Sequence, residues 1–297
     1  LVGGITLKET ALTKVFYAVN YVVLGVIALI CLFPLLHEIA VSFSNESANA
    51  SGIVGIWPVG FSTGAYHNLL MGTKIISAFV NSVIITVVGT ALSMVATILT
   101  AYPISRKYFV GRKIFLMLIL FTMLFGAGVI PTYLIANSLH LINSWWAIWL
   151  IGLISPFNLF IMKTFFEDIH EELIEAARID GTTEFQLIIR LILPLSVPVM
   201  AALSLFYGVG YWNVFSQMLI YVQDMDKMNL AVFVQNMVQS QQMLAQMGSE
   251  SPSLLQEVTP KSIEAAAIVI MIVPMLLVYP FLQKHFTSGI MLGSLKG

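Results

Sequence analysis

Charge is what this 297-residue sequence has least of: Asp, Glu, Lys and Arg make up 10% of it, against about a quarter in an ordinary soluble domain. A soluble globule could not cover its surface with so few charges. Fourteen basic residues face 15 acidic ones, a net charge of -1, so the basic excess of a nucleic-acid binder is missing. A single cysteine, Cys31, excludes a disulfide framework and a cysteine-built zinc cage. No Gly-Lys dipeptide occurs, and with it goes the phosphate-cradling G-x-x-x-x-G-K-[ST] loop. His37-Glu38 and His170-Glu171 begin like the zinc motif H-E-x-x-H, but Val41 and Ile174 stand where the second histidine belongs. What abounds is apolar surface, with 58% of residues hydrophobic. That excludes a disordered chain and leaves an all-α, polytopic integral membrane protein, read as a single transmembrane domain over 1–297.

A spanning helix needs about 20 apolar residues, and the gaps between formal charges locate the spans. Lys14 to Glu38 leaves 23 uncharged residues, placing a first span near 17–39. Lys74 to Arg106 leaves 31 and places a second near 76–103. Lys113 to Lys163 leaves 49, too many for one crossing. The polar run Asn137, Ser138, His140, Asn143, Ser144 splits it into spans near 114–136 and 145–166. Arg190 to Asp224 leaves 33, for a fifth near 193–220, and Glu264 to Lys284 leaves 19, for a sixth. Unbroken runs such as Ile268 to Val273 do not alternate as barrel strands must. The first segment is longer than a signal-peptide core, lacks an A-x-A site after it, and is read as a retained helix.

Six spans put both termini on one side. With that side cytoplasmic, eleven of the 14 basic residues lie inside and only Lys74, Lys227 and Lys261 outside, which the positive-inside rule selects. The outer segments are then about 42–73, with Trp57-Pro58, a short one at 137–144, and a Gln- and Met-rich one at 223–263 that contains the turn-like run Gly248 to Pro252. In the last of these, Asn229 is an expected N-cap for a helix over 229–244, with Leu230, Phe233, Val234 and Met237 on one face.

The inner segment 167–190 holds seven of the 15 acids. Asp168 with Glu171 reads as a capping-box helix start, followed by Ile169, Leu173, Ala176 and Ala177 on one face. Asp180-Gly181 reads as a stop, and Thr183 with Gln186 as the start of a second helix leading into the fifth span. A helix, a glycine turn and a second helix with small residues suit close approach by another surface. An interfacial helix on lipid headgroups, or a solvated loop, remains an alternative from the residues alone, although acids facing an anionic leaflet argue against the former.

Glu175-Ala176-Ala177, Asp180-Gly181, Leu193-Pro194 and Pro198 together resemble the EAA loop of bacterial ABC-importer permeases, with no important departure inside that stretch. Trp57-Pro58 followed by Tyr66, Trp212-Asn213, and the tail from Tyr279-Pro280 to Gly297 resemble its carbohydrate branch, the oligo- and polysaccharide permeases of the LplC/YtcP type. The resemblance implies a type I (MetI-like) fold in a bacterial cytoplasmic (inner) membrane, and a transport subunit rather than an enzyme. It implies as partners a second related permease, an ATPase dimer, an extracytoplasmic solute-binding protein and a sugar oligomer, with membrane lipid around the spans and no nucleic acid. ATP and Mg would sit on the ATPases, with no cofactor in this chain. Glu175, Ala176, Ala177, Asp180, Gly181, Leu193 and Pro194 would form the ATPase-coupling segment. Glu175 would meet a cation on the ATPase, and the spans would move by alternating access.

Polar residues inside the spans are candidates for the substrate path. Asn158 is costly in hydrocarbon and should face protein or a cavity. The fifth span carries Tyr207, Tyr211, Trp212, Asn213 and Gln217, aromatic faces and amides of the kind that suit sugars. Interhelical hydrogen bonding is the competing reading. The stripe Ser82, Thr86, Thr90, Ser93, Thr97 reads as close helix packing, and Trp145, Trp146 and Trp149 as an interfacial belt. Two other functions share these features: an ABC permease for amino acids, peptides or phosphate, and an ion-coupled secondary carrier. The carrier would place ionisable residues mid-span, and none lies there. Alginate-like acidic oligosaccharides are one candidate substrate, although the basic groups an acidic sugar calls for are not visible in the spans.

Overall fold

The computed structural model describes residues 11–248 and 261–294, and among them every regular element is helical. The chain divides into two compact units, Leu1–Thr73 with Gln241–Ile270 and Lys74–Ser240 with Met271–Gly297. Residues 249–252 of the expected turn, and both termini, lie outside the described residues.

In the first unit α1 (Ala11–Ser42) is apolar on all sides, and its most hydropathic stretch is wholly unburied, as a helix bathed in lipid or covered by another chain must be. After it come α2 (Glu46–Ser51) and α3 (Gly64–Gly72). Asn45 caps α2 by accepting from the Ala48 N–H at 2.9 Å. Ser44 Oγ donates to the Ala40 carbonyl at 2.6 Å and accepts from the Val59 N–H at 3.0 Å, pinning the 52–63 loop to the end of α1. Trp57 is exposed in that loop.

The second unit is organised around α4 (Ile75–Ser105), against which α8 (Pro156–Glu167) and α12 (Val197–Trp212) pack lengthwise. Tyr211 of α12 lies so close to α4 that a Cβ at Gly89 would come within 2.8 Å of its ring. The hydroxyl stripe of α4 serves this packing and more. Ser93 Oγ lies 2.9 Å from Tyr211 Oη, Thr97 Oγ1 lies 2.7 Å from Tyr207 Oη, and Ser82 Oγ accepts from the Leu230 N–H at 2.8 Å. Asn81 turns to protein, donating to the Asp226 and Met228 carbonyls at 2.8 and 2.9 Å.

Among the described residues three helices are long and apolar enough to cross a membrane alone: Thr13–Ser42 in α1, Ile75–Ser105, and Lys261–Val278 within α15 (Lys261–Ser294). Three bent pairs bring the total to six if each pair is one span. The expected third span, 114–136, is not one rod. It is α5 (Arg112–Leu124) and α6 (Val129–Ser138), bent by 116°: the run ends where Phe125 turns extended, and Gly128 takes a φ of 81° just before α6 begins, a value a side chain disfavours. The fourth is α7 (Trp145–Ile151) and α8, bent by 50°, with Pro156 in the first turn of α8, where its missing N–H costs nothing. The fifth, expected over 193–220, begins earlier. It consists of α10 (Glu184–Leu187), a π-helical stretch Ile188–Ile192 and α11 (Leu193–Leu195), and then turns by 83° into α12. Leu193 and Pro194 therefore precede the bend. The chain continues through α13 (Ser216–Tyr221), a short 3-10 turn Met225–Lys227 and α14 (Leu230–Gly248).

Of the three tryptophans read as a belt, only Trp146 is exposed. Trp149 is 7% exposed and donates to the Ile85 carbonyl at 3.1 Å, and Trp145 donates to the Lys227 carbonyl at 2.9 Å. These two are packing residues, because each finds a main-chain acceptor inside the bundle for its N–H.

Candidate functional site

The first candidate region is the segment between α8 and α12. Its opening differs from the expected capping box: Asp168 caps the end of α8, and α9 (Glu171–Ile179) starts after His170 with no side-chain cap. Glu171 and Glu172 in its first turn and Arg178 in its last complement the helix dipole instead. The anchoring face is also rotated from expectation. Ile174 is 1% exposed in the main core, with Ala177 half-buried beside it, while Leu173 is 48% and Ile179 87% exposed. Glu175 and Ala176 are exposed with them. The helix thus gives Ile174 and Ala177 to its own bundle and turns other apolar and acidic residues outward.

The stop and restart follow the sequence. Asp180 is the C-cap, and Gly181 takes a φ of 78°, which a Cβ disfavours. Thr182 Oγ1 donates to the Ala177 carbonyl at 2.6 Å. Thr183 and Gln186 form a reciprocal capping box at the start of α10: the Gln186 N–H donates to Thr183 Oγ1 at 3.3 Å, and the Thr183 N–H to Gln186 Oε1 at 3.1 Å. Leu187 and Ile192 are buried, Leu193 is half-buried and Pro194 exposed.

The second region is a cavity of about 410 Å³ between α8 and α12, lined by Gly152, Ser155, Asn158, Tyr207, Tyr211 and Gln217 among others. Four of the six residues expected on a substrate path meet here: Asn158, Tyr207, Tyr211 and Gln217. The other two do not. Trp212 points to another side of α12, where it donates to the Met271 carbonyl at 3.2 Å and sets its ring edge-on to Phe79. Asn213 is the exposed C-cap of α12, donating back to the Val209 carbonyl at 3.0 Å.

The tyrosine hydroxyls are spoken for. Tyr207 Oη accepts from the Ser155 N–H at 3.0 Å besides its contact with Thr97, so ring surface lines the space. Asn158 differs: it is 5% exposed, and among the described residues its side-chain amide makes no hydrogen bond, leaving a donor and an acceptor for whatever enters. No lining residue carries a charge. The wall residues Gly210 and Val214 were legible in principle, since with Tyr207 they fall at i, i+3 and i+7 on one helix face. Gly152 and Ser155 come from the α7–α8 break and Phe157 from the first turn of α8, positions that apolar periodicity does not signal. Among the described residues no group of three or more His, Cys, Asp or Glu could hold a metal ion.

Residues 82–291 match the family described as binding-protein-dependent transport system inner membrane component. The chain is 40% identical over 288 residues to the polygalacturonan/rhamnogalacturonan transport system permease protein YtcP of Bacillus subtilis (strain 168), covering 96% of this chain and 99% of that one. It is also 40% identical to protein LplC of the same organism, over 98% of each chain. Among solved structures it resembles a chain of a bacterial ABC transporter involved in the import of the acidic polysaccharide alginate, with a TM-score of 0.83 and 29% identity, covering 93% of this chain and 98% of that one. The all-helical, bent-span bundle and the sequence likeness agree: this chain belongs to the family of binding-protein-dependent transport system inner membrane components, and is a membrane transport component rather than an enzyme.

Proposed function

We propose that this chain is the membrane-spanning permease subunit of an ATP-driven importer of oligo- or polysaccharide. The observation that carries the substrate class is the 40% identity, over nearly the whole of both chains, to a polygalacturonan/rhamnogalacturonan permease. Arabinooligosaccharide and galactooligosaccharide permeases among the more distant relatives support it. The cavity is consistent with it: flat aromatic rings and one unengaged amide, in a volume within the usual range of about 300–1,000 Å³ for small-molecule sites. A different solute, such as an amino acid, peptide or phosphate, finds no support in those names, and family membership sets aside an ion-coupled carrier.

In this reading both termini are cytoplasmic. The 167–190 segment docks α9 on one subunit of an ATPase dimer, through Glu175 and the outward-facing Leu173, Ala176 and Ile179. ATP and Mg belong to that dimer. A second, related permease completes the path, and the 223–263 segment faces an extracytoplasmic solute-binding protein. ATP-driven closure below then switches the bent spans between two packings, which is alternating access.

The test is uptake by the reconstituted complex of both permeases, the ATPase and the binding protein. Galacturonan-type and neutral oligosaccharides are offered alongside an amino acid mixture. Saccharide-stimulated ATPase activity is expected; stimulation by amino acids and not by any saccharide would overturn the substrate class.

A further inference from the structure

The geometry points to Tyr102, Arg178 and Glu184 as positioning residues that fasten the α9–α10 turn to the end of α4, so that movement of the docking helix reaches the cavity wall. This rests on the proposal that α9 docks on an ATPase.

Glu184 opens α10, and both its carboxylate oxygens are engaged. Oε1 accepts from Arg178 Nε at 3.1 Å and Nη2 at 2.8 Å, and Oε2 accepts from Tyr102 Oη at 2.9 Å. Arg178, in the last turn of α9, also lays its guanidinium over the Tyr108 ring, 4.8 Å from the centroid, and donates to the Tyr108 hydroxyl. Three segments thus meet at one carboxylate, the end of α4, α9 and α10, and the loop after α4 joins them through the Tyr108 contact with Arg178. These are charge-assisted bonds to a planar donor, which a lysine would not reproduce.

Tyr102 is itself held. It is 5% exposed, edge-on to Phe166 with centroids 6.2 Å apart, and lies under the Arg106 guanidinium at 5.2 Å. Arg106 donates in turn to the Phe166 carbonyl at 2.5 Å. A push on α9 therefore meets a fixed ring on α4. Farther along the same helix, Thr97 and Ser93 hold Tyr207 and Tyr211, the aromatic wall of the cavity. The path from docking helix to cavity is a run of direct contacts through one rigid helix, the kind of element that can carry coupling when it has two arrangements. Glu184 is not needed to build α10, because the Thr183–Gln186 box already caps it.

The experiment compares Tyr102→Phe, Glu184→Gln and Arg178→Lys in the full reconstituted complex. ATPase subunits should co-purify in normal amount, and basal ATP hydrolysis should stay within about twofold of the parent. Substrate-stimulated hydrolysis and uptake should fall about threefold to fivefold, less than a buried charge-assisted bond would give because Glu184 is more than half exposed. Because Tyr102 and Glu184 share that bond, the double variant should be no worse than the poorer single. Parent-like stimulation in the singles, additive losses in the double, or failure of Tyr102→Phe to assemble would each overturn the positioning role. Failure of the docking reading shows separately, as a Glu175→Ala complex that keeps its ATPase and its stimulation.

Discussion

Asn229 joins the foot of α14 to the wall of the cavity through Val214: its Nδ2 donates to the Val214 carbonyl at 2.6 Å, while its Oδ1 accepts from the Val232 N–H at 3.1 Å. One fully buried side chain therefore both caps a helix and ties it to the α12–α13 break, where Val214 and Gln217 line the cavity. Asn229→Ala should lose the cap, a cost of about 1 kcal/mol, and leave the Val214 carbonyl without its donor. Asn229→Ser keeps a capping oxygen but not the donor, and it adds no buried charge beside the Val214 carbonyl. Hydrogen exchange separates the two effects: amides in the first turn of α14 should lose protection in the alanine variant and keep it in the serine variant. Equal protection in both would show that the cap is not what holds this end.

At the opposite end of the sequence's polar signal, Glu175 and Gly181 should fail in different ways. Glu175 is exposed and has no partner in its own chain among the described residues, so Glu175→Ala should leave stability within about 0.5 kcal/mol of the parent. Retention of the ATPase during purification should nevertheless fall at least about tenfold, the scale of one charge-assisted bond lost from an interface. Gly181→Val should also lose the ATPase, but through the turn: a β-branched residue at a φ of 78° costs about 1–2 kcal/mol and misdirects α9. A thermal melt of the permease pair distinguishes them, lower for Gly181→Val and unchanged for Glu175→Ala.

The cavity wall permits a third comparison. A Cβ at Gly89 would stand 2.8 Å from the Tyr211 ring, with the ring carbons and not a flexible tip in the way. Gly89→Ala should destabilise the bundle by about 1–3 kcal/mol, as overpacking does. Asn158→Ala, by contrast, removes an amide that makes no hydrogen bond among the described residues, and should cost little stability while lowering saccharide uptake. If Asn158→Ala transports normally, the unengaged amide is not a substrate contact.

Much of this was legible because the strong signals are local. Charge spacing located the apolar segments, since an uncompensated charge in hydrocarbon is costly wherever the chain folds. Thr183 with Gln186, Asp180-Gly181 and Asn229 were readable because capping involves residues within four positions of each other. The face of α9 was not. Leu173 and Ile174 are equally apolar, and which one meets the core depends on where α4 and α10 lie. The bends in the third and fourth spans left local marks, Gly128 and Pro156, which charge spacing and hydropathy pass over because they register composition and not backbone breaks. Trp149 looked like a belt residue until Ile85 supplied its acceptor from 64 positions away, and Trp212 left the expected path because its N–H found Met271.

The last prediction concerns which side α14 faces and what it meets there. The helix was expected over 229–244 and runs over Leu230–Gly248. Of its expected apolar face, Leu230 and Val234 are buried, whereas Phe233 and Met237 are half-buried, and Gln239 and Ser240 are exposed. The foot thus belongs to the permease's own bundle, fixed by Ser82, Val214 and the Asn81 bonds to Met228 and Asp226. Gln239 and Ser240 are where the helix's side chains first stand exposed to a partner. Helical spacing puts Gln239, Gln242 and Gln246 along one side, at i, i+3 and i+7. Single cysteines at these three positions, in a background where Cys31 is replaced by serine, should react with a membrane-impermeant maleimide from outside. At least one should crosslink to the solute-binding protein when nucleotide traps the assembled complex. A control cysteine at Met237, nearer the foot, should crosslink less than the other three. If all three label but none crosslinks, α14 is an outer brace and not a contact for the binding protein. If they label only from the cytoplasm, the orientation read from eleven inward basic residues is inverted, and α9 cannot be the helix that meets the ATPase.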